Sequence, residues 1–188
     1  MQRKFATAEK GLHFKPLSAV ADTLFKERGI FLPLNLVLSI HARISREYNV
    51  RMFDCVFCKI IRGELPSHTV YEDDATLAFL DIHPVSPGHT LVIPKAQDAR
   101  NIFDISEEAW VATTAVARTI AHALEKALDA DGVNIMMNNR SFAGQVIDHP
   151  HIHVIPRYKG DGLKLWPHKD YAEGEAESIK AKVAAALA

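Results

Sequence analysis

Cysteine is almost missing from this 188-residue chain: there are two, Cys55 and Cys58. A single C-x-x-C pair excludes the disulfide framework of a small secreted domain. An excess of charge of one sign is missing too. Lys and Arg number 22 against 23 Asp and Glu, a net charge of −1 at pH 7. Bulk electrostatics therefore recruits neither nucleic acid nor an anionic membrane, and any phosphate chemistry has to come from a local site. Long apolar runs are also lacking. The most apolar stretch, IFLPLNLVLSI at 30–40, is short for a bilayer span and is broken by Pro33. The start, MQRKFATAEKGLHFK, is basic and lacks the apolar segment of a signal peptide. No internal repeat or low-complexity tract is visible. A globular chain remains, 48% apolar and 24% charged. It is expected to be cytoplasmic, with no nucleic-acid or membrane partner.

What is present changes texture near Met52. Before it, Leu17, Val20, Ala21, Leu24 and Phe25 recur at helical spacing up to Gly29, and 39–50 suits a second short helix. No catalytic pattern appears there, so residues 1–51 are expected to be an N-terminal extension and 52–188 the functional domain. After Met52 a short helical turn runs toward Gly63 and Pro66. Strands HTVYEDD and TLAFLDI follow, with Asp73 and Asp74 turning between them, then a strand HTLVIPK at 89–95. Ser106 is a good N-cap with Glu107 and Glu108 in the first turn. From it a helix runs to Asp129 with Val116, Ile120, Leu124 and Leu128 on one stripe. Two more strands, VNIMMNN and VIDHPHIHVIP, are joined by RSFAGQ. The end, GEAESIKAKVAAALA, reads as an amphipathic helix with Ile179, Val183 and Leu187 inward. Strands, a long helix and more strands with short connections predict an α+β fold with an antiparallel sheet.

Three of the ten histidines fall in the stretch DHPHIHVIPRY, as His149, His151 and His153. Successive strand side chains point to opposite faces, so the three imidazoles share one face, spaced about 6–7 Å, and Ile152 and Val154 take the other. Such a row has three readings. It is a polar strand face, a metal site, or a catalytic group with one imidazole as nucleophile.

GQVIDHPHIHVIPRY resembles the signature of the histidine triad (HIT) family, His-φ-His-φ-His-φ-φ with φ apolar, except that Pro150 fills one φ position and suggests an edge or an irregularity in that strand. The preceding CVFCKIIRGELPSHTVYEDDATLAFLDIHPVSPGHTLVIPK and the tail YKGDGLKLWPHKDY are similar to bacterial members, so the resemblance covers about 52–188. It implies a nucleotide hydrolase that attacks the α-phosphorus of a nucleoside phosphate derivative through a covalent nucleotidyl-histidine. By position it implies His151 as nucleophile, with His149 and His153 flanking it. It makes Asp81 the ribose carboxylate, Gln145 a phosphate ligand, Asn138 an active-site asparagine and His89 a support of the triad. Phe79 and Ile82 are candidates to line the base pocket. Val146 sits where phosphoramidase branches carry a serine that assists the leaving group. The resemblance further implies a purine nucleotide substrate and a homodimer, with no cofactor required for catalysis. Two other readings stand beside it: a zinc-dependent hydrolase with triad histidines as ligands, and a nucleotide-binding signalling module with little turnover.

Cys55 and Cys58 have zinc-ligand spacing. The resemblance implies a structural zinc held by such a pair, a histidine shortly after VIPK, and the first triad histidine, here His149. Gln97 or Asp98 stands where the other histidine is expected.

Overall fold

The computed structural model describes Ser39, residues 55–96 and residues 98–188. The helix expected at 17–29, nearly all of the one at 39–50, and Gln97 lie outside the described residues. The chain divides into two units, Met1–Lys59 and Ile60–Ala188. In the first, Cys55 precedes the start of helix α1 (Val56–Ile61), where the Lys59 amide donates to the Cys55 carbonyl at 3.0 Å.

The second unit is built on a sheet of strands β1 (Thr69–Glu72), β2 (Thr76–Leu80), β3 (Thr90–Pro94), β4 (Gly132–Met136) and β5 (Ile152–Arg157). Their order is β1-β2-β3-β5-β4, and the β1–β2, β2–β3, β3–β5 and β5–β4 pairs are antiparallel. The expected turn closes β1 onto β2: Asp73 Oδ1 accepts from the amides of Ala75 and Thr76 at 2.9 and 2.7 Å. Such aspartate side chains mimic a backbone turn. TLAFL and TLVIP are nearly buried throughout, because β2 and β3 are interior strands. The α+β expectation holds.

Helix α2 (Glu107–Leu128) is capped by Ser106, whose Oγ accepts from the Ala109 amide at 3.2 Å. Its stripe of Val116, Ala117, Ile120 and Leu124 packs with Ala78, Val92, Ile152 and Val154 of the sheet to form the core. Two expectations about the stripes need correcting. Leu128 is exposed at the helix end. In helix α3 (Glu175–Leu187), Ile179, Val183 and Leu187 are exposed, because no described residue of the chain covers that face. No helix among the described residues is long and apolar enough to cross a membrane.

Strand alternation settles what faces away from α2. Phe79 pairs with Leu91, and Leu91 with His153, so these three stand side by side on the other face. Two residues further along, the same face brings Asp81 opposite His89, and the Asp81 amide donates to the His89 carbonyl at 2.9 Å. The turn entering β3 depends on Gly88, at φ +89°, where an added Cβ would come 2.4 Å from Leu128 Cδ1.

Candidate active site

β5 begins only at Ile152, so His149 and His151 precede the strand and His153 alone lies in it. Pro150 has no amide hydrogen and cannot join a ladder. It marks an irregularity and not an edge, since β5 pairs on both sides. The histidines consequently do different things. His149 is buried, and its Nε2 lies 2.8 Å from the Pro94 carbonyl. His151, also buried, has Nδ1 2.7 Å from the His149 carbonyl. A carbonyl oxygen only accepts, so His149 carries its hydrogen on Nε2 and His151 on Nδ1. The lone pair of neutral His151 is thereby on Nε2. His153 lies edge-on to it, ring centroids 5.0 Å apart.

His89 extends the group. Its Nε2 is 2.9 Å from His153 Nδ1, and its Nδ1 is 3.5 Å from Asp81 Oδ2. The Val85 amide also donates toward His89 Nδ1, at 3.4 Å. With Nδ1 accepting, His89 donates from Nε2 to His153, which then keeps its own hydrogen on Nε2. Asp81, His89 and His153 each place one potential ligand atom within 4.8 Å of the others. Asp81 Oδ1 accepts from the His83 amide at 2.8 Å, so this carboxylate also closes the turn after β2.

Burial is the first cause of every histidine shift here. It pushes His149 and His153 down to about 4, with repulsion from His151 and His89 adding to the effect at His153. His89 and His151 are lowered as well, and the Asp81 carboxylate offsets part of the effect at both. At neutral pH the cluster is a set of neutral imidazoles, each a donor at one nitrogen and an acceptor at the other.

Gln145 occupies a place the sequence does not foretell. Its Oε1 accepts from the Arg140 amide at 2.7 Å, and its Nε2 donates to the carbonyls of Arg100 at 2.6 Å and Ile147 at 2.9 Å. Both amide hydrogens are engaged, so Gln145 ties three backbone segments together. Binding phosphate through Nε2 requires exchanging one of these bonds. Asn138 donates to the Gly144 carbonyl at 3.4 Å and steadies the same turn. Of the base-pocket candidates, Phe79 is core and Ile82 is exposed beside Asp81. The acceptors that orient His149 and His151 are main-chain carbonyls, which residue identity does not advertise.

A family model described as the HIT domain matches residues 62–160. The crystal structure of a HIT-family member from Bacillus subtilis is 42% identical with a TM-score of 0.66, covering 72% of this chain and 98% of that one. Adenosine 5'-monophosphoramidase HNT1 of Saccharomyces cerevisiae is 40% identical over 118 residues, 62% of this chain and 72% of its own. A zinc-bound histidine triad protein from Mycobacterium smegmatis is 38% identical with a TM-score of 0.57, covering 71% and 98%.

Proposed function

Because the chain belongs to the histidine triad family, we propose that it is a hydrolase of purine nucleotide derivatives in which His151 Nε2 attacks the α-phosphorus. One observation carries this reading: the His149 carbonyl takes the Nδ1 hydrogen of a buried His151 and leaves the lone pair on the other nitrogen. A neutral imidazole is a ready nucleophile at pH 7 without a separate base. The P–X bond breaks as N–P forms, the leaving group takes its electron pair, and water then cleaves the nucleotidyl-His151 to give the nucleoside monophosphate. His153, held through His89, directs a donor at the phosphate oxygens as charge builds. Asp81 takes the ribose hydroxyls. Asn138 and Gln145 shape the turn beside the phosphate. The activity named for the yeast relative supports a nucleotide derivative as substrate. No cofactor is required in this reading, which applies to residues 52–188, with 1–51 an extension of no assigned function, in a cytoplasmic protein.

His151→Asn tests it. Turnover should fall by about three orders of magnitude or more, as for loss of a nucleophile elsewhere, while calorimetry still shows nucleotide binding. An acid-labile nucleotidyl adduct should be trapped on the wild type alone. Full activity in the variant would falsify the mechanism. A binding module with little turnover would instead show saturable binding and no product over hours.

A metal-dependent second reading has one observation in its favour, the grouping of Asp81, His89 and His153. It predicts loss of turnover on chelation. The direct 2.9 Å bond between His89 and His153 engages the nitrogens a metal would need, which favours the nucleophile. For structural zinc, the family resemblance implies the thiols of Cys55 and Cys58, where the Cys58 amide donates to Cys55 Sγ at 3.4 Å, together with His149. The Pro94 carbonyl holds the His149 hydrogen on Nε2, so Nδ1 is the nitrogen suited to a metal. The zinc-bound Mycobacterium relative supports a zinc in a protein of this family. With His149 so employed, His151 and His153 are left for the phosphate.

A further inference from the structure

One contact in the site sets two acceptors against each other. His89 donates its hydrogen from Nε2 to His153, so its Nδ1 presents a lone pair. That nitrogen lies 3.5 Å from Asp81 Oδ2, a carboxylate oxygen, and no hydrogen stands between them. The two side chains are only 4% and 18% exposed, so water screens the pair poorly. The main chain gives little relief. The His83 amide bonds the other oxygen, Asp81 Oδ1, and the Val85 amide reaches His89 Nδ1 at a long 3.4 Å. Two electron-rich atoms held face to face in a sheltered place call for a cation between them.

The spacing narrows the kind of cation. Two ligands, each about 2.1 Å from a tetrahedral zinc ion, stand about 3.4 Å apart. The separation of Asp81 Oδ2 and His89 Nδ1 is 3.5 Å. His153 offers a third ligand nitrogen within 4.8 Å of the other two. A turn of its ring brings it to the ion, and it then gives up the 2.9 Å bond it receives from His89. The His83 amide on Oδ1 already orients the carboxylate, as such outer bonds do for metal ligands. Two imidazoles and one carboxylate suit ions of the zinc type, whereas Mg²⁺ prefers oxygen ligands alone. None of the three is Cys55, Cys58 or His149, so this site is separate from the structural set.

We propose that Asp81, His89 and His153 form an inhibitory site for a divalent ion of the zinc type, which excludes the nucleotide. The bound ion takes the Asp81 carboxylate from the ribose hydroxyls and His153 from the phosphate oxygens. It also breaks the bond through which His89 holds His153, so it opposes the reaction that these side chains serve. The sign is the reverse of the metal-dependent reading: chelation restores turnover. The inhibition rests on the function proposed above, while the ion site rests on the facing acceptors alone.

The test is a Zn²⁺ titration by calorimetry at pH 7 of the wild type, Asp81→Asn and His151→Asn. Asparagine keeps an oxygen for the His83 amide and loses the charge. Zinc taken up at Cys55 and Cys58 is common to all three proteins and cancels in the comparison. The wild type and His151→Asn should each bind one equivalent that Asp81→Asn binds at least about tenfold more weakly. Saturating AMP should suppress that equivalent. With adenosine 5′-phosphoramidate as substrate, Zn²⁺ should raise KM and leave kcat unchanged, EDTA should reverse the effect, and equal Mg²⁺ should have none. Equal uptake by the wild type and Asp81→Asn overturns the ion site, as does an equivalent lost in His151→Asn. An ion and AMP that bind together without competing overturn the inhibition. A wild type that takes up the ion but neither binds AMP nor cleaves the phosphoramidate overturns the nucleotide reading and the inhibition with it, and upholds the ion site.

Discussion

A main-chain oxygen decides what His151 can do. The His149 carbonyl accepts the Nδ1 hydrogen, and the same side chain without that oxygen would distribute its hydrogen between both nitrogens. The neighbours are held neutral by burial, which carries a pH consequence. Unfolded histidine titrates near 6.5, whereas folded His153 titrates at about 4. Between these values the unfolded chain binds more protons, so stability falls as pH drops from about 6.5 to about 4 and changes no further from this source below that. The melting temperature should therefore be several degrees lower at pH 4.5 than at pH 7. A Tm that holds constant or rises over that interval contradicts the burial of neutral imidazoles. Activity should follow the same direction, with its acid limb below the ordinary histidine range because His151 is lowered too.

At the scale of elements, the site depends on how β3 and β5 begin. Gly88 enters β3 in a left-handed conformation, and a Cβ there meets Leu128 Cδ1, Leu124 Cδ2 and Pro156 Cγ. Gly88→Ala should lower stability by about 2–3 kcal/mol, from backbone strain and forced repacking, as read from urea unfolding. Since His89 is the next residue, turnover should fall with it. A variant within about half a kcal/mol of the wild type would show that the turn adapts. β5 teaches a related lesson. Alternation along DHPHIHVIP reads as one long strand, but Pro150 delays the ladder to Ile152, and His149 and His151 are placed by side-chain bonds to carbonyls. The capped helix, the Asp73 turn and the five strands were legible because caps, turn residues and period-two patterns are local signals. The bracing by Gln145 was not, since its partners at Arg100 and Arg140 are a matter of three-dimensional proximity.

For the whole molecule, β4 is an outer strand of the sheet with Ile135 half exposed, and beside it lies an apolar groove of about 320 Å³ lined by Trp110, Arg118, Ile135 and Met137 among others. An outer strand with an apolar border suits pairing with a second copy, in line with the homodimer proposed from the family resemblance. Light scattering should give twice the chain mass of 20.9 kDa, and Ile135→Lys should return it to the single value. A wild-type monomer at high concentration would refute the dimer. Zinc is checked by elemental analysis of protein purified without added metal. Close to one equivalent is expected, lost in a variant replacing both Cys55 and Cys58, and a wild-type content near zero removes the zinc set.

The sequence by itself determined the class of fold, the order of its elements and the residues worth watching. Apolar periodicity, caps and the spacing of His149, His151 and His153 are properties of neighbours along the chain. Only the tertiary structure decided which nitrogen of each histidine holds the hydrogen, that His89 and not His149 is bonded to His153, and that Gln145 faces backbone. Those outcomes hang on carbonyls and side chains up to 64 residues apart, brought together by strand register and burial, which local sequence does not encode.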